Sequence, residues 1–183
     1  ARLEAAVLEV PLLERFRSPA LRIYRAIEEL ELPTQRIHGD CHLGQALSTR
    51  NGWRYVDFEG EPIKSLQERR EPDSPLRDVA GMLRSFDYAA AVGKAPHPDW
   101  LPAVRSAFEE GYRLGRQETG SLAPSPAASG DQEQAEASYQ TVLTCLELDK
   151  ALYEAVYEAR NRPDWLGIPM AGIESVLSKH AEG

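Results

Sequence analysis

The chain has 183 residues, of which 42% are hydrophobic and 27% are charged, a composition typical of one globular domain with a sizeable core. Its formal net charge of −8 argues against binding to nucleic acid or to an anionic membrane surface. No apolar run approaches the roughly 20 residues that span a bilayer. Cys41 and Cys145 do not form a disulfide framework, so we expect reduced thiols in a cytoplasmic protein.

The first predicted elements are a helix, a short strand and a hairpin. The helix is predicted from Ser18, because Ser followed by Pro is typical of a helix N-terminus. Residues 35–38 are predicted to form a short strand. The pair Asn51-Gly52 then separates the runs QALST and WRYVDF, and this pair strongly indicates a β-hairpin. The second strand of the hairpin is expected to end at Asp57.

Three further helices are predicted after the hairpin, with one long loop between the last two. A second Ser-Pro step begins a helix with an apolar stripe. The members of that stripe are Leu76, Val79, Met82, Leu83 and Phe86. A third helix is predicted over residues 101–116 and a long helix over about 134–161. The Pro/Gly/Ser-rich residues of about 119–133 are expected to be a flexible surface loop within the domain. The predicted fold class is mostly α with a small β-hairpin.

The segment RIHGDCHLGQ, residues 36–45, concentrates ionisable side chains on one predicted loop. The pattern His38-x-Asp40-x-His42 could ligate a metal such as zinc. Alternatively, Asp40 followed five residues later by Gln45 matches the spacing of a kinase catalytic loop, H-R-D-x-x-x-x-N. A third possibility is that His38 and Asp40 only stabilise a turn.

The order of residues along the chain favours phosphoryl transfer. That reaction needs a carboxylate to accept the proton of the attacking hydroxyl and oxygen ligands that hold Mg²⁺ against the ATP phosphates. Asp40, Gln45 and Asp57 occur in this order, with the predicted hairpin between the last two, and a Gln amide oxygen can bind Mg²⁺. The remaining histidines, His97 and His180, lie in a predicted loop and a predicted tail, where neither is placed to complete a zinc site.

For three further residues, a structural role is considered beside a functional one. His38 is expected to be structural and to hold the loop by hydrogen bonding. Asp78 lies early in its predicted helix, where it is either a favourable acid in the first turn or a brace for the HGD loop. Glu61 is compatible with a solvated surface charge.

The predicted end of the longest helix carries a cluster of aromatic and charged residues. Its members are Tyr157, Glu158, Arg160 and Trp165. Such a cluster suits sugar recognition, since apolar sugar faces stack on rings and hydroxyls need polar partners. The structural alternative is a helix terminus fixed by Trp165 packing and an Arg–Glu pair. Lys150 and Glu154, four residues apart, are expected to be a surface pair.

The motifs HGDCHLGQ and DFEGEP resemble those of the aminoglycoside phosphotransferase-like kinases. Together with SPLRDVAGMLRSFDYAA and LELDKALYEAVYEARNRPDWLGIP, they resemble the bacterial maltokinase family, over about residues 18–177. The resemblance implies that residues 1–183 form the C-terminal lobe of a protein-kinase-like fold. It also implies ATP- and Mg²⁺-dependent phosphorylation of a sugar, above all of maltose to maltose 1-phosphate, which feeds glycogen synthesis.

The same resemblance implies roles for individual residues. Asp40 would be the catalytic base, and Gln45 and Asp57 would hold Mg²⁺ and, through it, ATP. His42 and Glu59 would lie at the edge of the sugar site.

The sequence departs from the family because nothing in it resembles the N-terminal lobe, with its Gly-rich loop and ATP-contacting lysine. The chain also begins at Ala1 and has methionine only at positions 82 and 170. We therefore expect a C-terminal lobe that works with its own N-terminal lobe or with a fused trehalose synthase domain, and whose partners are a small sugar and ATP.

Two alternative functions remain open from the sequence. One is a kinase for glucosamine or another amino sugar, which the carboxylates Glu59, Glu61, Glu154 and Glu158 permit. The other is a catalytically silent kinase-like module that binds a partner.

Overall fold

The structure is a computed structural model that describes residues 2–28, 30, 32–61, 64–94, 97–119 and 132–181. The described chain is mostly helical with one small sheet, which confirms the predicted fold class. The α-helices are α1 (Arg2–Glu9), α2 (Arg17–Ile27), α3 (Leu76–Gly93), α4 (Trp100–Thr119), α5 (Gln132–Asn161) and α6 (Gly167–Ala181), and the strands are β1 (Ala46–Thr49) and β2 (Gly52–Tyr55). Short 3₁₀ helices cover Pro11–Phe16, Leu43–Gln45, Glu68–Arg70 and Pro163–Trp165.

Helix α5 is the central element, because both of its halves are buried against different partners. Its 30 residues make it about 45 Å long. The N-terminal half packs against α3 and α4 in a core that contains Leu83, Phe86, Tyr139, Val142 and Leu143. The C-terminal half packs against α1, α2 and α6 in a second core that contains Leu13, Ile23, Leu148, Leu152 and Ile173. The apolar stripe predicted for α3 is fully buried.

The two strands form the predicted antiparallel hairpin, with Thr49 opposite Gly52. Gly52 has a φ of 97°, a left-handed conformation that glycine adopts without steric cost. The hairpin side chains are largely exposed, Trp53 by 64%. The hairpin therefore serves mainly to return the chain from Gln45, just before β1, to Asp57, just after β2.

Two expectations about individual elements are wrong, and two helices were missed. Helix α2 begins at Arg17 and continues directly from a 3₁₀ helix, so Ser18 is not its N-cap. Residues 35–38 do not form a strand; only Gln35 pairs with Asp73, through backbone hydrogen bonds of 3.0 and 2.9 Å. Helices α1 and α6 were not predicted, although both contribute to the core around the C-terminal half of α5.

The predicted flexible loop at about 119–133 lies almost wholly outside the described residues, since α4 ends at Thr119 and α5 begins at Gln132. No helix within the described ranges is both long enough and apolar enough to cross a bilayer. Cys41 and Cys145 are free thiols.

Candidate active site

Asp78, in the first turn of α3, fixes the HGD loop. Its Oδ2 accepts a hydrogen bond from the backbone N–H of His38 at 2.7 Å, and its Oδ1 accepts one from Gly39 at 2.9 Å. Burial raises the pKa of the Asp78 carboxyl, although the two backbone N–H groups act in the opposite direction. Of the two interpretations of Asp78, these contacts favour the brace.

One face of α3 supports the whole loop. Asp78, Gly81 and Ser85 follow one another at helical spacings of three and four, so they lie on the same face. Gly81 faces the carbonyl oxygen of Cys41, and a Cβ atom there would stand 2.5 Å from that oxygen. Ser85 Oγ accepts a hydrogen bond from Leu43 N at 3.1 Å. Sequence reasoning identified neither Gly81 nor Ser85.

The loop also contacts the segment that follows β2. The Nε2–H of His38 donates to Val56 O at 2.8 Å, and the imidazole packs against the Phe58 ring at 4.6 Å between centroids. A Cβ on Gly39 would lie 3.2 Å from the Cα of Gly60, so the two backbones are in close contact. These contacts place the HGD loop beside the end of the hairpin.

Gln45 and Asp57 meet at this junction. Gln45 Nε2 donates to Asp57 Oδ2 at 3.0 Å, and Val56 N donates to the Gln45 carbonyl at 3.0 Å. Asp57 has a φ of 63°, which is uncommon outside glycine and often marks functional positions. The Gln45 amide oxygen and the second Asp57 oxygen are hard donors of the kind that Mg²⁺ prefers, with water and phosphates completing its shell.

The geometry gives little support to a zinc site. His38 uses Nε2 for its bond to Val56, and His42 accepts a hydrogen bond from Gly44 N on its Nδ1 at 3.0 Å. The described part of the chain contains no cluster of three or more His, Cys, Asp or Glu side chains arranged for a metal.

Lys150 and Glu61 flank Asp40, and neither is the surface charge that we expected. Lys150 Nζ lies 2.6 Å from Glu61 Oε1 and 3.5 Å from Asp40 Oδ1, whereas Glu154 pairs elsewhere. Burial by itself would lower the pKa of the Lys150 ammonium. The nearby carboxylates of Glu61 and Asp40 together have the larger effect, so the pKa is raised. Burial by itself would raise the pKa of the Glu61 carboxyl. The charge and hydrogen bond of Lys150 together have the larger effect, so the pKa is lowered.

An open cleft of about 1120 Å³ extends from Asp40 between α1, α3 and α5. Its lining includes four cationic and four carboxylate side chains. These are Arg2, Lys150, Arg160 and Arg162, and Glu9, Asp40, Glu154 and Glu158. The lining is thus balanced in charge, and selectivity between a neutral and a cationic ligand must come from individual side chains.

Some of the predicted sugar-binding residues line this cleft and others do not. His42, Tyr157 and Arg160 line it, and Arg160 Nε also donates to Glu9 of α1 at 2.6 Å. Glu59 is exposed and is not part of the lining.

Glu158 and Trp165 are held by other side chains. Glu158 is only 1% exposed and accepts hydrogen bonds from Arg162 at 2.6 Å and from Tyr88 at 2.9 Å. Trp165 lies outside the cleft lining and packs against Arg162, whose guanidinium carbon is 4.4 Å from the ring centroid. These contacts favour the structural interpretation of Glu158 and Trp165.

A buried ionic network that sequence reasoning missed lies under the cleft. Arg84, with 0% exposure, donates twice to Glu154 Oε2, at 2.9 and 2.8 Å, and also contacts Asp87. Arg105 joins Asp87 to Glu147, at 3.2 and 2.6 Å. Burial raises the pKa of Glu154 despite Arg84. Arg84 bonds only Oε2, and no hydrogen bond to the other oxygen of Glu154 is formed within the described residues.

Two solved structures of glucosamine kinase share the fold described above. One, in complex with glucosamine, ADP and inorganic phosphate, has a TM-score of 0.79 and 23% identity over 99% of this chain and 46% of that chain. The other has a TM-score of 0.76 and 24% identity over 97% of this chain and 44% of that chain.

Curated glucosamine kinases are also similar in sequence. The protein of Streptacidiphilus jiangxiensis is 28% identical over 96% of this chain, and that of Mycolicibacterium smegmatis is 32% identical over 81%. The chain spans only 40% and 36% of the length of these two relatives. No protein-family model matches the chain.

Proposed function

We propose that the chain is the C-terminal lobe of an ATP-dependent sugar kinase. The observation that carries this proposal is the contact between Gln45 and Asp57, 3.0 Å apart, beside the loop that bears Asp40. Sequence similarity to glucosamine kinases over nearly the whole chain supports the same reaction class. Since those relatives are more than twice as long, the surface that completes the ATP site would come from an N-terminal lobe.

Asp40 would act as the general base. The acceptor hydroxyl would enter the cleft and donate a hydrogen bond to Asp40, and its oxygen would attack the γ-phosphorus of ATP. The bond from the γ-phosphorus to the bridging oxygen breaks, ADP leaves, and the hydroxyl proton passes to Asp40. Gln45 and Asp57 would hold Mg²⁺, which supplies positive charge to the phosphate oxygens when it is bound.

For the acceptor we propose glucosamine. Two curated relatives similar over most of this chain are glucosamine kinases, and a protonated amine needs a carboxylate. Of the four carboxylates considered from the sequence, Glu61 and Glu158 are occupied by cations and Glu59 lies outside the cleft lining. Glu154 lines the cleft with Oε1 available, so it is the candidate ligand for the amine.

Maltose is the second candidate acceptor. The sequence motifs of this chain that resemble those of maltokinases indicate this sugar. The cleft supports it as well, because Tyr153 and Tyr157 both line the cavity and their stacked rings are 6.4 Å apart between centroids. Such a platform suits the apolar face of a neutral sugar, and the balanced charge of the lining does not oppose one.

The test is phosphorylation of each sugar by the full-length protein, followed through ADP release and product mass. We expect glucosamine phosphate, and we expect Asp40→Asn to lower kcat by about 100-fold or more with sugar affinity nearly unchanged. Asp57→Asn should instead raise the Mg²⁺ concentration needed for half-maximal activity. Maltose phosphorylation alone would replace the acceptor but keep the kinase, and turnover of neither sugar would favour the silent binding module.

A further inference from the structure

The carboxylate of Asp40 is oriented from outside its own loop. Helix α3 fixes the loop backbone through Asp78, Gly81 and Ser85. These contacts involve the loop backbone and do not orient the Asp40 side chain. Within the described residues, the only side chain that forms a hydrogen bond or ion pair with the Asp40 carboxylate is Lys150, at 3.5 Å. Lys150 lies in α5, 110 positions further along the chain.

We propose that Lys150 is a positioning residue for Asp40, held in place by Glu61, so that the base presents its free oxygen to the acceptor hydroxyl. This inference rests on the proposed function. It assigns to α5 a part in the phosphoryl-transfer site that the sequence motif around Asp40 does not contain.

The two distances at Lys150 explain how one ammonium can orient the base without blocking it. The 2.6 Å contact with Glu61 is a short charge-assisted hydrogen bond, and Glu61 is only 6% exposed. The 3.5 Å contact with Asp40 is at the limit of a hydrogen bond. Glu61 therefore anchors the ammonium of Lys150. The ammonium stands beside Asp40 without a short hydrogen bond to it, so the carboxylate can still accept a proton.

The anchor also connects two parts of the site. Glu61 follows Asp57 by four residues in the same segment, so Lys150 joins the loop of the base to the segment of the proposed metal ligand. A 1 Å misplacement of a reacting group can cost about 100-fold in rate, so a cross-link between these segments has a direct use in catalysis.

The test compares Lys150→Met with Lys64→Met in the full-length protein. Lys64 approaches the same Glu61 at 3.9 Å and is not paired with Asp40, so it is a matched control. We expect Lys150→Met to lower kcat by about 10-fold to 100-fold and to change the KM for the sugar much less. Lys64→Met should leave kcat and KM near those of the native protein.

The pH profile separates positioning from a purely structural role. Removing a cation beside Asp40 disfavours its ionised form, so the acidic limb of the kcat profile should move to higher pH in Lys150→Met. Glu61→Gln should move it to lower pH, because Lys150 is then released to pair more closely with Asp40. Lys150→Arg keeps the charge and should restore much of the native profile.

The other titratable groups of the loop and the cleft are the same in every variant. They are His42 and Cys41 from the loop, Tyr88 and Asp78 from α3, Arg2 and Glu9 from α1, and Tyr153 and Glu154 from α5. Differences between variants therefore report on Lys150 and on its anchor Glu61.

A readout without turnover keeps this inference separate from the proposed function. In the native protein and in Lys150→Met, the carboxyl carbon of Asp40 can be titrated by NMR, and its midpoint should be higher in the variant. An unchanged midpoint and an unchanged kcat would overturn the role of Lys150. A shifted midpoint in a protein that phosphorylates no sugar would overturn the proposed function instead. If Lys150→Met does not fold, the test passes to the other two variants: Glu61→Gln should move the acidic limb to lower pH while Lys150→Arg stays near the native profile, and identical profiles of these two variants would refute the proposal.

Discussion

The carbonyl oxygen of Cys41 faces Gly81 so closely that a Cβ atom on residue 81 would stand 2.5 Å from it. Real Cβ atoms essentially never approach an oxygen so closely, and the obstacle is backbone, which cannot rotate away. The HGD loop can therefore lie on α3 only because position 81 has no side chain. Asp78 and Ser85, one turn away on either side, then hold the loop by hydrogen bonds.

Gly81→Ala should displace this loop. We expect a loss of about 1–3 kcal/mol in the free energy of unfolding, as for other overpacked sites, and a fall in kcat of the full-length protein. Gly111→Ala in α4 is the matched control, because it has open space for a Cβ and should stabilise the helix by about 0.5–1 kcal/mol. Denaturant unfolding measures both changes, and equal stability of the two variants would contradict the close contact.

Asp78→Asn tests the brace on the HGD loop. An amide offers one acceptor oxygen where the carboxylate offers two, so either His38 N or Gly39 N loses its partner. An unsatisfied buried N–H costs about 1–3 kcal/mol, and amide hydrogen exchange at these two residues should become faster. Asp99→Asn, at an aspartate whose side chain is 85% exposed, should leave exchange in the loop unchanged; equal effects of both variants would argue against a brace.

Local sequence patterns were sufficient for much of the fold. Asn51-Gly52 predicted the hairpin because the residues that determine such a turn are adjacent in the sequence. The apolar stripe from Leu76 to Phe86 predicted the buried face of α3. The same reasoning failed at Ser18, where a preceding 3₁₀ helix continues into α2 and no cap is needed.

The ionic contacts of the site could not be predicted from local spacing. Lys150 meets Glu61 across 89 positions and Asp40 across 110, and its helical neighbour Glu154 pairs instead with Arg84, 70 positions away. An i, i+4 pattern shows which charges can meet on one helix, but tertiary packing decides which ones do. The order Asp40, Gln45, Asp57 was informative because the hairpin that brings the last two together is itself local.

The pair of Glu61 and Lys150 should make stability depend on pH in two windows. The pKa of Glu61 is below its ordinary value of 4.5, so its ionised form contributes stability that is present above that pH and is lost as the pH falls through the lowered pKa. The pKa of Lys150 is above its ordinary value of 10.5, so its contribution is present below that pH and is lost as the pH rises through the raised pKa.

Glu61→Gln should therefore cost most in the neutral range, about 3 kcal/mol for a buried pair that loses one member. The difference from the native protein should shrink at strongly acidic and strongly alkaline pH. Glu174→Gln removes an exposed partner of Arg15 and should cost less than about 1 kcal/mol. A cost for Glu61→Gln that did not vary with pH would show that packing, not charge, is what the glutamate supplies.

The choice between glucosamine and maltose can be made at Glu154. If its free oxygen binds a protonated amine, calorimetric titration of the full-length protein should show glucosamine binding that weakens as salt screens the pair. Glu154→Gln should then weaken glucosamine binding by about 10-fold to 100-fold, since a hydrogen bond to a charged group is worth about 1.5–3 kcal/mol, while maltose binding should hardly change.

Glu158→Gln is the control for this prediction, because Arg162 and Tyr88 already occupy that carboxylate. It should lower stability without altering the preference between the sugars. Tighter binding of maltose, insensitive to salt and to Glu154→Gln, would assign the cleft to a neutral sugar held by Tyr153 and Tyr157.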